Sequence, residues 1–160
     1  MKSAREDISV ALFNLLSGYQ PLVNLCKNIT RVPRIWTEVN EAEKPFLVLF
    51  KGGPGTEDFV QPQQAHIGLT KYRINYNLWL YVTADPTHQT VAETLINQIS
   101  DQIDAAMQQG AIPNASGFAE RQTLGSLVNN AWLEGGSEWG REFEDTNVVV
   151  FWRIAVELGI

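Results

Sequence analysis

The chain switches between a helical and a strand-like hydrophobic period, and the switch points predict its elements. Ile8, Leu12, Leu15 and Leu16 recur at helical spacing near the N-terminus. Ser3 followed by Glu6 reads as a capping box for this helix, and Gly18 reads as its stop. Val10 and Phe13 fall outside the stripe. They face either a short second helix over 21–27, through Leu22, Leu25 and Cys26, or a neighbouring subunit. From Arg31 the period shortens. Ile35 and Trp36 predict a short strand, which Pro33 keeps off any central ladder position. Residues 45–50 predict a central strand, apolar on both faces. The stretch 52–68, rich in Gly, Pro and Gln, reads as a loop long enough to be functional or flexible.

The clearest strand spans 69–83. Tyr72, Ile74, Tyr76, Leu78, Leu80 and Val82 share one face, against Lys71, Arg73, Asn75 and Asn77 on the other. Asp85-Pro86 ends it. A long helix follows over about 87–109, with Val91, Leu95, Ile99, Ile103 and Met107 inside, Glu93, Asn97, Asp101, Asp104 and Gln108 outside, and Gly110 as its stop. A small-residue loop (110–117), a weaker strand (123–133) and a Gly-rich acidic loop or hairpin tip (135–145) come next. The final strand, 147–158, aligns Val148, Val150, Trp152, Ile154, Val156 and Leu158. Val149 and Phe151 make its first half apolar on both faces. This order predicts an α+β fold: a mixed or antiparallel β-sheet with an N-terminal helix and one long helix packed on one face. Without internal repeats or a linker, 1–160 reads as a single domain.

Composition narrows the function. Hydrophobic residues at 44% against 19% charged residues fit a folded chain, and no apolar run approaches the ~20 residues of a membrane helix. The net charge of −6 argues against a nucleic-acid clamp. Its distribution is uneven: residues 1–80 carry nine Lys/Arg against seven Asp/Glu, and residues 81–160 carry three against eleven. One cysteine, Cys26, and two histidines exclude an intramolecular disulfide and disfavour a Cys/His zinc site. Sequons at Asn28 and Asn114 matter only in a secreted chain. Acidic residues stand where a signal peptide needs its apolar stretch, so the reading is cytosolic.

The catalytic motifs all miss. Lys51-Gly52-Gly53-Pro54-Gly55-Thr56 places its lysine before the glycines, whereas a phosphate loop needs it after them, at a helix start. Gly136-Ser137-Glu138-Trp139-Gly140 has no strand-to-helix step to expose its serine. His66 and His88 have no partnered nucleophile. Asp101 with Asp104, and Glu142 with Glu144 and Asp145, sit in polar company that gives no contrast of environments for acid–base work. The sequence therefore predicts no enzyme, no cofactor and no metal. Aromatics in polar settings stand out instead: Trp79 and Tyr81 on the polar strand face, and Trp132, Trp139 and Phe143 in or near the acidic Gly-rich segment. With the two long inserts, they make Gln61, Gln64, His66, Trp79, Tyr81, Trp139, Arg141 and Phe143 the candidate subunit or partner interface.

Taken together, Ala11-Leu12-Phe13-Asn14-Leu15-Leu16-Ser17-Gly18, Arg34-Ile35-Trp36, Lys44-Pro45-Phe46-Leu47-Val48-Leu49, the strand 72–85, the helix 91–107 and the terminal strand form a pattern. This pattern resembles the tail terminator (tail completion) proteins of long-tailed bacteriophages, the lambda-like minor tail proteins that cap the tail tube. The chain departs from it in its inserts at 52–68 and 134–147. The resemblance implies a homo-hexameric ring that stops tube polymerisation and contacts the tail tube protein and the head–tail connector. It implies a place in the tail or neck of a virion assembled in the host cytoplasm, with no membrane. DNA would cross the lumen without specific binding, and Asp101, Asp104, Glu142 and Glu144 are the candidate acidic lining. The alternatives are another neck component (head-completion, connector or tail tube protein) or, outside that class, a small ligand-binding α+β domain around Trp79, Tyr81 or Trp152.

Overall fold

The computed structural model describes residues 4–51, 57–59, 71–83, 89–141 and 147–159. Helix α1 (Arg5–Ser17) buries Ile8, Leu12 and Leu16 completely, Phe13 packs against the same core, and Val10 stays exposed. Ser3 lies outside the described residues. The N-cap is Ala4, and Glu6 accepts two hydrogen bonds from Arg31, so the expected capping box is replaced by an ion pair across the fold. Gly18 closes α1 at a right-handed φ of −89°, and a Cβ there would stand 2.8 Å from the Asn14 carbonyl oxygen. Helix α2 (Gln20–Leu25) follows at once and buries Leu22, with Cys26 buried just beyond it.

Strand β1 (Asn28–Thr30) runs parallel to β2 (Phe46–Phe50). The strand expected at Ile35 and Trp36 is absent: Trp36–Glu38 form a 3₁₀ turn closed by the Glu38 N–H donating to Ile35 O. Pro33 offers no donor for a ladder, and pairing falls before it instead. β2 is buried on both faces, as its sequence predicts. Strand β3 (Glu57–Phe59) lies within the stretch read as a loop, and the rest of that stretch is outside the described residues. β2 and β3 share one edge of strand β4 (Lys71–Thr83), opposite Asn77–Tyr81 and Tyr72–Ile74 respectively.

Helix α3 (Gln89–Met107) buries Ile96, Ile99, Ile103, Ala106 and Met107, and Gly110 beyond it adopts φ +65°. A small hairpin of β5 (Ile112–Pro113) and β6 (Ala119–Arg121) leads to β7 (Asn130–Arg141). The strand expected at 123–133 starts late because Leu124, Gly125 and Ser126 all have positive φ, which turns the chain. Of the segment read as a loop or hairpin tip, residues 135–141 belong to β7, and 142–145 lie outside the described residues. Residues 135–137 bulge out of β7 between Glu134, opposite Arg153, and Glu138, opposite Phe151. Strand β8 (Asn147–Gly159) pairs with β4 along its whole length.

Among the described residues the result is an α+β fold on a six-stranded mixed sheet ordered β1-β2-β4-β8-β7, with β3 beside β4, in which only the β1–β2 pair is parallel. All three helices join one core with the even-numbered side chains of β4 and β8. A smaller cluster of Val39, Phe46, Val48, Tyr81 and Val149 forms on the opposite face. Among the described residues no helix is long and apolar enough to cross a membrane.

Candidate interaction surfaces

The face of the sheet without helices is built from alternate residues of β2, β4 and β8. Strand registry puts Val48, Trp79 and Phe151 in one row, with Phe50 one pair further along β2. Trp79 is therefore clamped edge-on by two rings, Phe50 at 5.0 Å and Phe151 at 5.2 Å between centroids, with interplanar angles of 84° and 82°. All three rings are half-buried within the chain.

Tyr81 lies one row along and is only 3% exposed, so it supports this surface from inside the monomer. Its hydroxyl donates to the Arg34 carbonyl oxygen at 2.7 Å. Arg34 lies over the Phe46 ring, donates to Glu38 O, and pairs with Glu43 at 2.8 Å. The Glu43 carboxylate also accepts the Asn40 N–H in a capping box. The Arg34 hydrogen bond, then the Asn40 N–H, hold its carboxyl below the ordinary range. These contacts tie residues 34–43 to the aromatic end of the face. At its other end Arg73 pairs with Glu134, donates to Asn75 and lies over the Trp132 ring, leaving Trp132 half-buried.

Gln61, Gln64, His66, Glu142, Phe143 and Glu144 lie outside the described residues. The backbone of Trp139 stands opposite Val150 and that of Arg141 opposite Val148, in β7. Asp101 and Asp104 are exposed on α3, on the helix side of the sheet and so on the opposite face from Trp79. Partial burial, and then the charge of Asp101, push the Asp104 carboxyl up.

Among the described residues, cavities flank the sheet on its helix side at each lateral edge. One, of about 300 Å³, lies between α1 and the β1–β2 edge and is lined by Arg5, Glu6, Ser9, Arg31, Lys51 and Tyr76, among others. Ser9 and Tyr76 share a buried hydrogen bond of 2.8 Å there, and Arg31 holds the Glu6 carboxyl down. The other, of about 290 Å³, lies between the end of α3 and β6–β7 and includes Asp104, Gln108, Glu120, Arg121, Asn130 and Trp132 in its lining. Among the described residues, no three His, Cys, Asp or Glu side chains gather as a metal site would require.

Sequence reasoning picked out Trp79 but not its clamps, Phe50 and Phe151, because strand pairing alone brings those three together. It also missed Gln122, whose buried side-chain amide donates to Met107 O and Gln109 O and so satisfies carbonyls at the end of α3. No local signal marks that role.

No protein-family model and no curated protein sequence matches the chain. A chain of the virion of a native gene transfer agent particle shares its fold, with a TM-score of 0.53 over 96% of this chain and 95% of that one, at 12% identity.

Proposed function

We propose that this chain is a non-enzymatic structural component of a phage-like virion, the ring that ends the tail tube and joins it to the head. The observation that carries this reading is the shared fold with a gene transfer agent virion chain, which extends over nearly the whole of both chains. The arrangement of elements that resembles tail terminators points the same way. A closed ring needs two different patches on each subunit. The helix-free face, centred on Trp79 between Phe50 and Phe151, then serves contact with the tube or the connector. A net charge of −6 suits a ring that lets DNA pass without gripping it.

The test is a polymerisation assay. Purified chain is added to elongating tail tube protein, and tube lengths and ends are read by negative-stain electron microscopy. The reading expects short tubes, each with a ring at one end. Unchanged lengths and bare ends would contradict it.

A further inference from the structure

The cavities at the two lateral edges of the sheet differ in the charge of their linings. At the β1–β2 edge, the cavity lining holds Arg5, which lies over the Tyr72 ring, Lys51, and the Arg31–Glu6 ion pair. At the β7 edge, Asp104 and Glu120 line the other cavity against Arg121, with Asp101 one helical turn from Asp104. Four exposed large apolar side chains lie near the same two places, while Val10 and Val23 lie on α1 and α2. Of the six large ones among the described residues, Val32 and Ile35 follow β1, while Ile112 and Phe118 belong to the β5–β6 segment beside the acidic cavity. Phe118 is 71% exposed, a large apolar surface that the monomer leaves in water.

The cavities also overlap in height. Residues 130–133 of β7 stand opposite 157–154 of β8, which stand opposite 73–76 of β4. The basic cavity is lined by Tyr76 and by Phe50, which pairs with Asn77. The cavities therefore overlap in level at Tyr76, at opposite lateral edges of the sheet, the acidic one extending toward Arg73 and the basic one toward Leu78. A contact joining them places the next copy sideways, a head-to-tail repeat that forms a ring where its rotation closes.

From this geometry we infer that copies of the chain bind head to tail, the basic β1-side edge of one receiving the acidic β7-side edge of the next. The inference rests on the ring reading above and gives that ring its interface. Phe118 is the apolar anchor, directed to the Val32 and Ile35 surface, and Asp101 and Asp104 meet Arg5 and Lys51. This moves the aspartates from the channel lining, where the resemblance put them, to the boundary between copies. The raised Asp104 carboxyl fits: its charge is costly in the monomer, and a neighbour's cation relieves that cost.

Charge reversal tests the pairing. Sedimentation velocity across protein concentration and salt gives the assembly midpoint of wild type, of R5E/K51E, of D101K/D104K and of the quadruple variant. If assembly requires a tube end, capping of tail tubes is the readout. All four residues are exposed, and melting curves check that each variant folds. Wild type is expected to dissociate as salt rises. Each double variant should need at least about tenfold more protein to assemble, and the quadruple variant, with both signs exchanged, should recover. F118A should weaken assembly in every background.

Folded double variants that assemble like wild type, or a quadruple variant that fails to recover, would overturn this interface and leave the ring standing. A wild-type chain that neither assembles nor caps tubes would remove the ring reading, and the interface with it. If R5E/K51E abolishes binding to labelled DNA while assembly is unchanged, the basic edge is a nucleic-acid contact and the inference fails.

Discussion

Tyr76 and Tyr81 sit on opposite faces of β4, both almost fully buried, and each has a hydroxyl partner: Ser9 on the helix side and the Arg34 carbonyl on the other. Burial without a partner would cost each hydroxyl more than the bond itself contributes. Tyr81→Phe leaves that carbonyl short of a donor and is expected to lower stability by about 1 kcal/mol in urea unfolding. The same experiment on Gln122→Ala should show a loss of about 1–3 kcal/mol, because two carbonyls near the end of α3 lose their donor. The Cys26 thiol, pushed up to about 12 by burial, should resist alkylation at pH 8 until the chain unfolds, which quenched labelling can follow.

The acidic residues respond to pH with opposite signs. Glu6 and Glu43 are held below their ordinary 4.5 in the folded chain. Their ion pairs therefore stabilise above that pH, and the contribution is lost as pH falls through the lower, folded values. Asp104 is raised, so its ionised form opposes folding at neutral pH. Asp104→Asn should raise the melting temperature of the monomer at pH 7 and have little effect at pH 3, where the carboxyl is already neutral.

At the scale of elements, legibility followed length and periodicity. β4, β8 and α3 each repeat their pattern over enough residues to fix their type, and β4 and β8 face as their sequences predict. On α3, Ile99, Ile103 and Met107 are buried as predicted, but Ile96 joins them and Leu95 is only half-buried. β1 and β3, three residues each, carry no period of their own and exist by pairing with longer strands. β7 was obscured by Gly135 and Gly136, which read as loop but belong to the bulge opposite β8. The candidate surfaces divide in the same way. Trp79 was visible as an aromatic on a polar strand face, whereas Arg5 and Lys51 come to one cavity only through α1 and β2. Leu78, fully buried at the centre of β4, should cost about 2–5 kcal/mol when replaced by Ala. Val32, 65% exposed, should cost the monomer almost nothing, as paired thermal melts would show.

At the scale of the whole molecule, the helix-free face and the two sheet edges point in different directions and carry different chemistry. An aromatic cluster braced by Arg34 and Glu43 suits a partner met face-on, and cavities of differing charge at the two edges suit a copy met side by side. A subunit that closes on itself laterally leaves one face free to sit on a tube. Electron microscopy of particles from a source virus lacking this gene tests that account most directly. It predicts headless tails much longer than wild type, because nothing halts the tube. Tails of normal length beside unattached heads would contradict termination and leave a joining role. Intact infectious particles would contradict the account as a whole.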